Sequence, residues 1–234
     1  MQIENCVALV TGANRGLGKA FVDVLLQLGA KKVYATARRS ETVAVHDKRV
    51  VPLRLDVTSQ EDVEAAAAQC ADVTLLINNA GILNRSGGIL ATEAVSSARE
   101  EFETLVFAPL ALSQALTPAL AANGGGAIIN VLSALSWVSL PGTETYSAAK
   151  AAAWSLTNGL RQALRQQGTQ VLGLHVGYMD TDMTRELDVP KTSPQEVAQI
   201  TLQALRQGEV EVLADQVCAQ LKQGLSAGVY LQRG

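Results

Sequence analysis

Tyr146 and Lys150 stand four residues apart in the stretch ETYSAAKAAAW, residues 144–154. Alanine is the strongest helix former, and positions i and i+4 of a helix lie one above the other on one face. The two side chains therefore meet whatever their purpose. One possibility is an amphipathic helix bearing a boundary tyrosine and a solvated lysine. The other is a reacting pair. A phenol titrates near pH 10, and a cation one turn away favours the phenolate and lowers that value.

A second group of residues suits a dinucleotide. The apolar run CVALVTG leads straight into TGANRGLG, which puts Gly12, Gly16 and Gly18 where a strand turns into a helix. Glycine there accepts positive φ and lets a pyrophosphate approach bare backbone. The spacing is G-x-x-x-G-x-G, a longer loop than G-x-G-x-x-G, with the same physical logic; a purely structural turn is the alternative. The next strand ends in YATARRSE. An acidic residue at that place would bind a ribose 2′-hydroxyl and repel a 2′-phosphate. The chain has Arg38 and Arg39 there instead, and Arg15 inside the glycine loop. Planar guanidinium groups suit phosphate, so NADP(H) is expected in preference to NAD(H). Asp56, in LDVT, would close the third strand near the adenine, unless it is a turn or capping aspartate.

These residues need a scaffold, and the pattern around them supplies one. Short β-branched runs (CVALVTG, KKVYATA, VVPLRLDVT, DVTLLINNAG, AIINVLS, TQVLGLHVG, EVEVLADQ) alternate with alanine- and leucine-rich helical stretches. Ser59 is placed to cap one helix, with Asp62 three residues on, and Ser193 another, with Pro194 at its first position. One long helix is expected from about Ser96 to Ala122, and the helix carrying Tyr146 to about Gln167. Strict alternation argues an α/β domain with a mainly parallel sheet of about seven strands and helices on both faces. Runs such as LLI and AIINV fit strands covered on both sides. With no linker or repeat, residues 1–234 are expected to form one doubly wound domain, with ligands at the carboxyl ends of the strands.

Composition narrows the partners. Of 234 residues, 48% are hydrophobic and only 4% aromatic, so the core is aliphatic. A net charge of −3 gives no electrostatic case for nucleic acid or an anionic membrane. No apolar run is expected to approach the length of a membrane span, and MQIENCVALVTG is not expected to be a secretory leader. Cys6, Cys70 and Cys218 are odd in number and far apart, which argues against disulfides and for the reducing cytoplasm. His46 and His175 are isolated, so nothing has metal-ligand spacing.

TGANRGLG, LDVT, NNAG, Ser133, YSAAK and VGYMDTDM follow one another in the order and spacing of the short-chain dehydrogenase/reductase family, which nearly the whole chain resembles. The resemblance is to the single-domain branch and implies a Rossmann-type fold and hydride transfer between a nicotinamide and a carbonyl or alcohol. Tyr146 would be the general acid or base. Lys150 would lower its pKa and hold the nicotinamide ribose, and Ser133 would polarise the carbonyl. Gly12, Asn14, Arg15, Gly16, Leu17, Gly18, Arg38, Arg39, Asp56 and Val57 would hold the adenosine and pyrophosphate end. Asn79, Ala80 and Gly81 would line the cofactor, with Asn79 also tying strands together. Gly177, Tyr178, Met179 and Thr181 would face the nicotinamide.

The chain departs from the family at two places. Val176 stands where a proline usually precedes Gly177. In FETLVFAPL, Leu105 stands where the family carries an asparagine that supports a water beside the lysine, and leucine has no donor or acceptor. The substrate wall is expected to comprise Leu83, Leu105, Ser133, Leu135, Trp137, Leu140, Tyr178 and Met183. That mostly apolar set points to a small hydrophobic ketone, aldehyde, imine or alcohol at an open site. The alternatives are a catalytically weak NADP(H)-binding sensor or scaffold, argued by Leu105, and a sugar-nucleotide epimerase or dehydratase, for which the chain lacks a second domain. A homodimer or homotetramer through the long helices is expected.

Overall fold

The computed structural model describes residues 1–85 and 87–231. Val7–Val10 (β1) is buried along its whole length and runs into a turn that opens α1, Gly16–Gln27. β2 (Lys32–Ala37), β3 (Val50–Arg54), α2 (Gln60–Gln69) and β4 (Leu75–Asn78) follow. Two helices, α3 (Ala94–Phe102) and α4 (Ala108–Ala122), lead to β5 (Ala127–Val131). The chain continues through α5 (Glu144–Ala163), β6 (Gln170–His175), α6 (Pro194–Gln207), β7 (Glu211–Leu213) and α7 (Gln216–Gly224). Among the described residues, seven strands make one sheet in the order β3-β2-β1-β4-β5-β6-β7, and their pairings are parallel. This is a Rossmann-type doubly wound sheet, whose strand order reverses between β1 and β4 and opens a crevice at their carboxyl ends.

Period-two alternation decides which helix covers which face. Ala8, Val10, Ile77, Ile129 and Leu172 pack with the apolar faces of α1 and α6. Val7, Leu9, Leu76, Ile128 and Val171 pack with α2, α4 and the end of α5. Pro52 lies inside β3, which is the sheet's edge strand and can spare a donor. Ser59 caps α2 by accepting from the Asp62 amide at 3.2 Å, whereas Ser193 precedes α6 without a side-chain cap among the described residues.

Three expectations are corrected. The long helix is divided by a π-helical turn, Glu103–Phe107. Pro109 at the start of α4 cannot donate to the carbonyl of Leu105 and its ring would press on it, so the ladder widens by one residue there. The chain also does not end at a short strand. α7 follows β7, with Asp215 capping it by accepting from the Cys218 amide at 2.9 Å. Finally, Ala94–Ala122 is long and apolar enough to cross a membrane by length and composition. It is instead seated on the sheet, where Leu112, Leu116 and Leu120 are at most 1% exposed.

Candidate active site

The crevice is a cleft of about 1920 Å³. Its first wall is backbone. Gly12 and Gly16 have φ of +63° and +52°, which L side chains rarely adopt. A Cβ on Gly18 would lie 2.2 Å from the Gly12 carbonyl oxygen, so α1 packs against the loop only because Gly18 has none. Arg15 is the N-cap of α1 and makes no side-chain capping bond there, which leaves the first amides of the helix to an anion. Thr11 and Asn79 staple β1 to β4. The Thr11 hydroxyl accepts from the amides of Asn79 and Ala80 at 2.8 and 2.9 Å. Asn79 Nδ2 donates to the Thr11 carbonyl at 2.8 Å. Arg38 and Arg39 are exposed and line the far end with Asp56, Val57, Asn14 and Leu17. Asp56 also accepts from the Thr58 amide and hydroxyl, bonds that hold its carboxyl below the usual range. It is thus a turn aspartate and a cleft residue together. Bare glycine backbone and an open helix N-terminus fit the pyrophosphate of a dinucleotide, with guanidinium groups at the far end of the cleft.

Ser133, Tyr146 and Lys150 all border this cleft, at the end of β5 and along α5. The Lys150 ammonium donates to the Val131 carbonyl at 2.7 Å and sits 5.6 Å from the centre of the Tyr146 ring. Burial pulls its pKa down to about 8. Tyr146 is half-buried, with its ring against Leu105, Val106 and Ala149. Burial pushes its phenol well above the usual value, the Ser133 hydroxyl bonded to it pulls the other way, and the Glu101 carboxylate pushes it higher still. The depression expected from Lys150 is therefore not what this chain alone produces. The ammonium is spent on Val131, and desolvation decides. A neutral phenol is the form that can donate a proton. The Ser133 hydroxyl accepts from the Leu135 amide at 3.1 Å.

The other wall differs from expectation. Leu83 and Met183 line the cleft with Gly81, Gly177, Met179 and Thr181; Leu105, Leu135, Trp137, Leu140 and Tyr178 do not. A capping box between Ser133 and Ser136 turns the chain back on itself just after the serine. Leu135 and Trp137 are thereby sent away from the cleft to pack with Cys218 of α7. Tyr178 and Leu140 are held outside it by backbone bonds, the first to Thr192 and the second to Thr143. Polar residues absent from the sequence-based wall take their places: Asn84, Arg85, Glu93, Ser97, Glu100, Glu103, Thr104, Asp180, Asp182 and Arg185. Their signal was present, because Glu93, Ser97, Glu100 and Thr104 follow at helical spacings of four, three and four. Asp182, in a 3₁₀ turn spanning Asp182–Thr184, pairs with Arg15 at 3.0 Å and so ties the segment after β6 to the glycine loop.

Leu105 is 3% exposed and sits in the π-helical turn, behind the cleft wall. A Cβ on Gly81 would meet it at 3.2 Å. It is core rather than substrate wall. It also borders a cavity of about 20 Å³ shared with Lys150, Asn78 and Asn130, and about 10–15 Å³ suffices for one water. Asn78 Nδ2 donates to Asn130 Oδ1 at 2.8 Å, while Asn78 Oδ1 is buried with no hydrogen-bond partner among the described residues. Leucine has therefore not closed the space beside the lysine, and Asn78, which carries that unpaired acceptor, is one of the residues that line it.

Residues 6–191 match the family model described as short chain dehydrogenase. A short chain dehydrogenase from Burkholderia cenocepacia J2315 in complex with NADP is 44% identical, with a TM-score of 0.92 over 97% of this chain and 95% of that one. The NADPH-bound carbonyl reductase from chicken fatty liver is 29% identical, with a TM-score of 0.77 over 86% and 91%. The 3-oxoacyl-[acyl-carrier-protein] reductase FabG of Vibrio cholerae serotype O1 is 32% identical over 195 residues, 80% of this chain and 79% of that protein.

Proposed function

The chain belongs to the short-chain dehydrogenase/reductase family, and from that premise we propose that it is an NADPH-dependent reductase of ketones and aldehydes, with imines as a further class and alcohol oxidation as the reverse. The observation that carries this is the convergence of Ser133, Tyr146 and Lys150 on a cleft whose other end is a glycine cradle and guanidinium groups. A nicotinamide cofactor bound in the cleft would supply the hydride. The neutral Tyr146 phenol gives a proton to the oxygen that gains charge. Ser133, its oxygen already accepting from the Leu135 amide, turns its own hydrogen to that same oxygen. Lys150 keeps positive charge beside the phenol as it loses its proton. The proton is replenished along Lys150 and a water in the cavity it shares with Asn78, in place of the asparagine that Leu105 replaces.

Arg38 and Arg39, with Arg15 in the glycine loop, support NADP(H) over NAD(H). The bound cofactors named for the Burkholderia and chicken proteins agree with that choice. The substrate is a small carbonyl compound whose apolar part rests on Leu83 and Met183 and whose polar groups meet Asn84, Ser97 and Thr104. Val95 and Phe107, 62% and 51% exposed on the α3–α4 stretch, suit pairing with a second copy.

Loss of reduced-nicotinamide absorbance over a panel of aryl ketones, aliphatic aldehydes and cyclic imines, run with NADPH and with NADH, tests the proposal. Turnover with NADPH at lower KM is expected. NADPH binding without turnover of any panel member would return the chain to the sensor reading.

A further inference from the structure

Behind Ser133, on the side away from the cleft, lies a buried cluster that the proposed chemistry does not use. His175, the last residue of β6, is 0% exposed, and its Nδ1 is 3.1 Å from the Ser133 carbonyl oxygen. Its ring stacks on Trp137 at 4.0 Å and 19°, with Trp154 of α5 edge-on to both. On the far side, His175 Nε2 is 3.3 Å from Glu211 Oε1 of β7. The other oxygen of Glu211 binds the Lys222 ammonium of α7 at 2.6 Å. That ammonium also lies 5.1 and 5.5 Å from the centres of the Trp137 and Trp154 rings, a cation–π distance. The same C-terminal unit reaches the cleft a second time, where Asp215 accepts from the Gly177 amide at 2.6 Å.

We propose that His175 is a positioning residue for Ser133, held in register from β7 and α7 by the Glu211–Lys222 pair. A carbonyl can only accept, so the Ser133 contact places the imidazole proton on Nδ1. Nε2 makes no hydrogen bond among the described residues and lies 3.3 Å from a Glu211 oxygen, a contact between two acceptors whose repulsion is lessened because Lys222 pairs with that carboxylate. Burial is the largest influence on His175 and pushes its pKa down, which favours the neutral ring. The Ser133 carbonyl and Glu211 push it up, and Lys222 and Lys150, facing it from α7 and α5, push it down. The Nδ1–H bond fixes the Ser133 peptide from behind, while Leu135 and Ser136 fix it from the following turn. The serine hydroxyl is thereby aimed by a segment that contributes no reacting group.

The kinetic part rests on the proposed reductase activity; a second measurement does not. His175→Phe keeps a ring for Trp137 and removes the donor. The kcat for an aryl ketone is expected to fall roughly tenfold, with NADPH affinity and Tm near those of the wild type. His175→Gln, which restores an N–H, is expected to recover part of the loss. Both tryptophans of the chain lie in this cluster, so intrinsic fluorescence reads it without cofactor or substrate. An imidazolium stacked on an indole quenches it. Lys222→Met is expected to move the quenching midpoint to higher pH, and Glu211→Gln to lower pH, with circular dichroism confirming that the chain stays folded. Unchanged kcat in His175→Phe, or a loss of kcat, NADPH affinity and Tm together, overturns the proposal. So does a midpoint that ignores Lys222→Met. If the wild type reduces nothing, the reductase proposal fails alone, and the fluorescence shifts still decide whether His175 answers to the pair.

Discussion

At the β1–β2 end of the cleft, Gly12, Gly16, Arg38 and Arg39 lie within one β-α-β unit, and most of what they offer is backbone and charge. At the opposite end, the wall is assembled from the segment after β4, the α3–α4 stretch, the end of β5 and the segment after β6. The first end depends on local geometry, on positive φ and on a glycine that admits no Cβ. The second depends on which way side chains turn once distant segments have met. A dinucleotide cradle is therefore the robust half of this molecule, and the substrate wall is the half that small changes in packing can redirect.

Tyr146 joins the two halves, so its removal breaks the comparison most sharply. Tyr146→Phe keeps the ring packed on Leu105 and Ala149 and deletes only the hydroxyl to which the proposal gives the proton transfer. A fall in kcat of roughly 10²–10⁴-fold is expected, with NADPH affinity nearly unchanged by fluorescence titration. An equal loss of cofactor affinity would show that the halves are not separable.

Lys150 stands at the same junction and makes stability depend on pH. It titrates at about 8 in the folded chain, against 10.5 for an ordinary lysine. Between those values the unfolded chain holds more protons, so this group makes stability rise with pH across the window. Below about pH 8 the buried cation costs its full share, on the order of 3 kcal/mol. Urea unfolding at several pH values should show that rise in the wild type and lose it in Lys150→Met. The same titration predicts that reductase turnover declines as pH climbs through about 8, where the positive charge beside Tyr146 is lost.

The same division explains how much the sequence disclosed. The strand–glycine–helix unit, the Arg38–Arg39 pair and the i,i+4 meeting of Tyr146 with Lys150 are short-range facts, and a linear pattern carries them. Alternation carries the parallel, doubly wound class, whereas the strand order is set by which strands meet in the folded sheet. Leu135 and Trp137 follow Ser133 closely in the chain, and that nearness alone points them to the substrate wall. Their direction is set by the Ser133–Ser136 capping box and by α7, a helix whose low apolar content hid it. Glu101 is fully buried at 0% exposure, a placement no charge pattern announces. The π-helical turn needed a specific inference, from Pro109 back to the carbonyl of Leu105, rather than a propensity.

Arg38 and Arg39 test the cradle alone. Replacing both with serine should raise the KM for NADPH by roughly 10–100-fold, the scale of losing charge-assisted phosphate contacts, and leave the KM for NADH within about twofold. A parallel rise for NADH would mean that the arginines support the loop itself rather than a 2′-phosphate.

The smallest effect is expected at Leu105, because the space beside Lys150 survives the substitution. Leu105→Asn adds a donor and an acceptor to a cavity that Asn78 and Lys150 already line. If Asn78 already serves the proton path, turnover should change only about two- to threefold, within one extra hydrogen bond's worth, and the pH profile should keep its shape. Asn78→Leu should then slow turnover more than Leu105→Asn speeds it, with NADPH binding retained. A large gain in Leu105→Asn alone, with an alkaline limb shifted upward, would instead show that this chain runs with an impaired path and that the packing around Leu105, not the cradle, sets its rate.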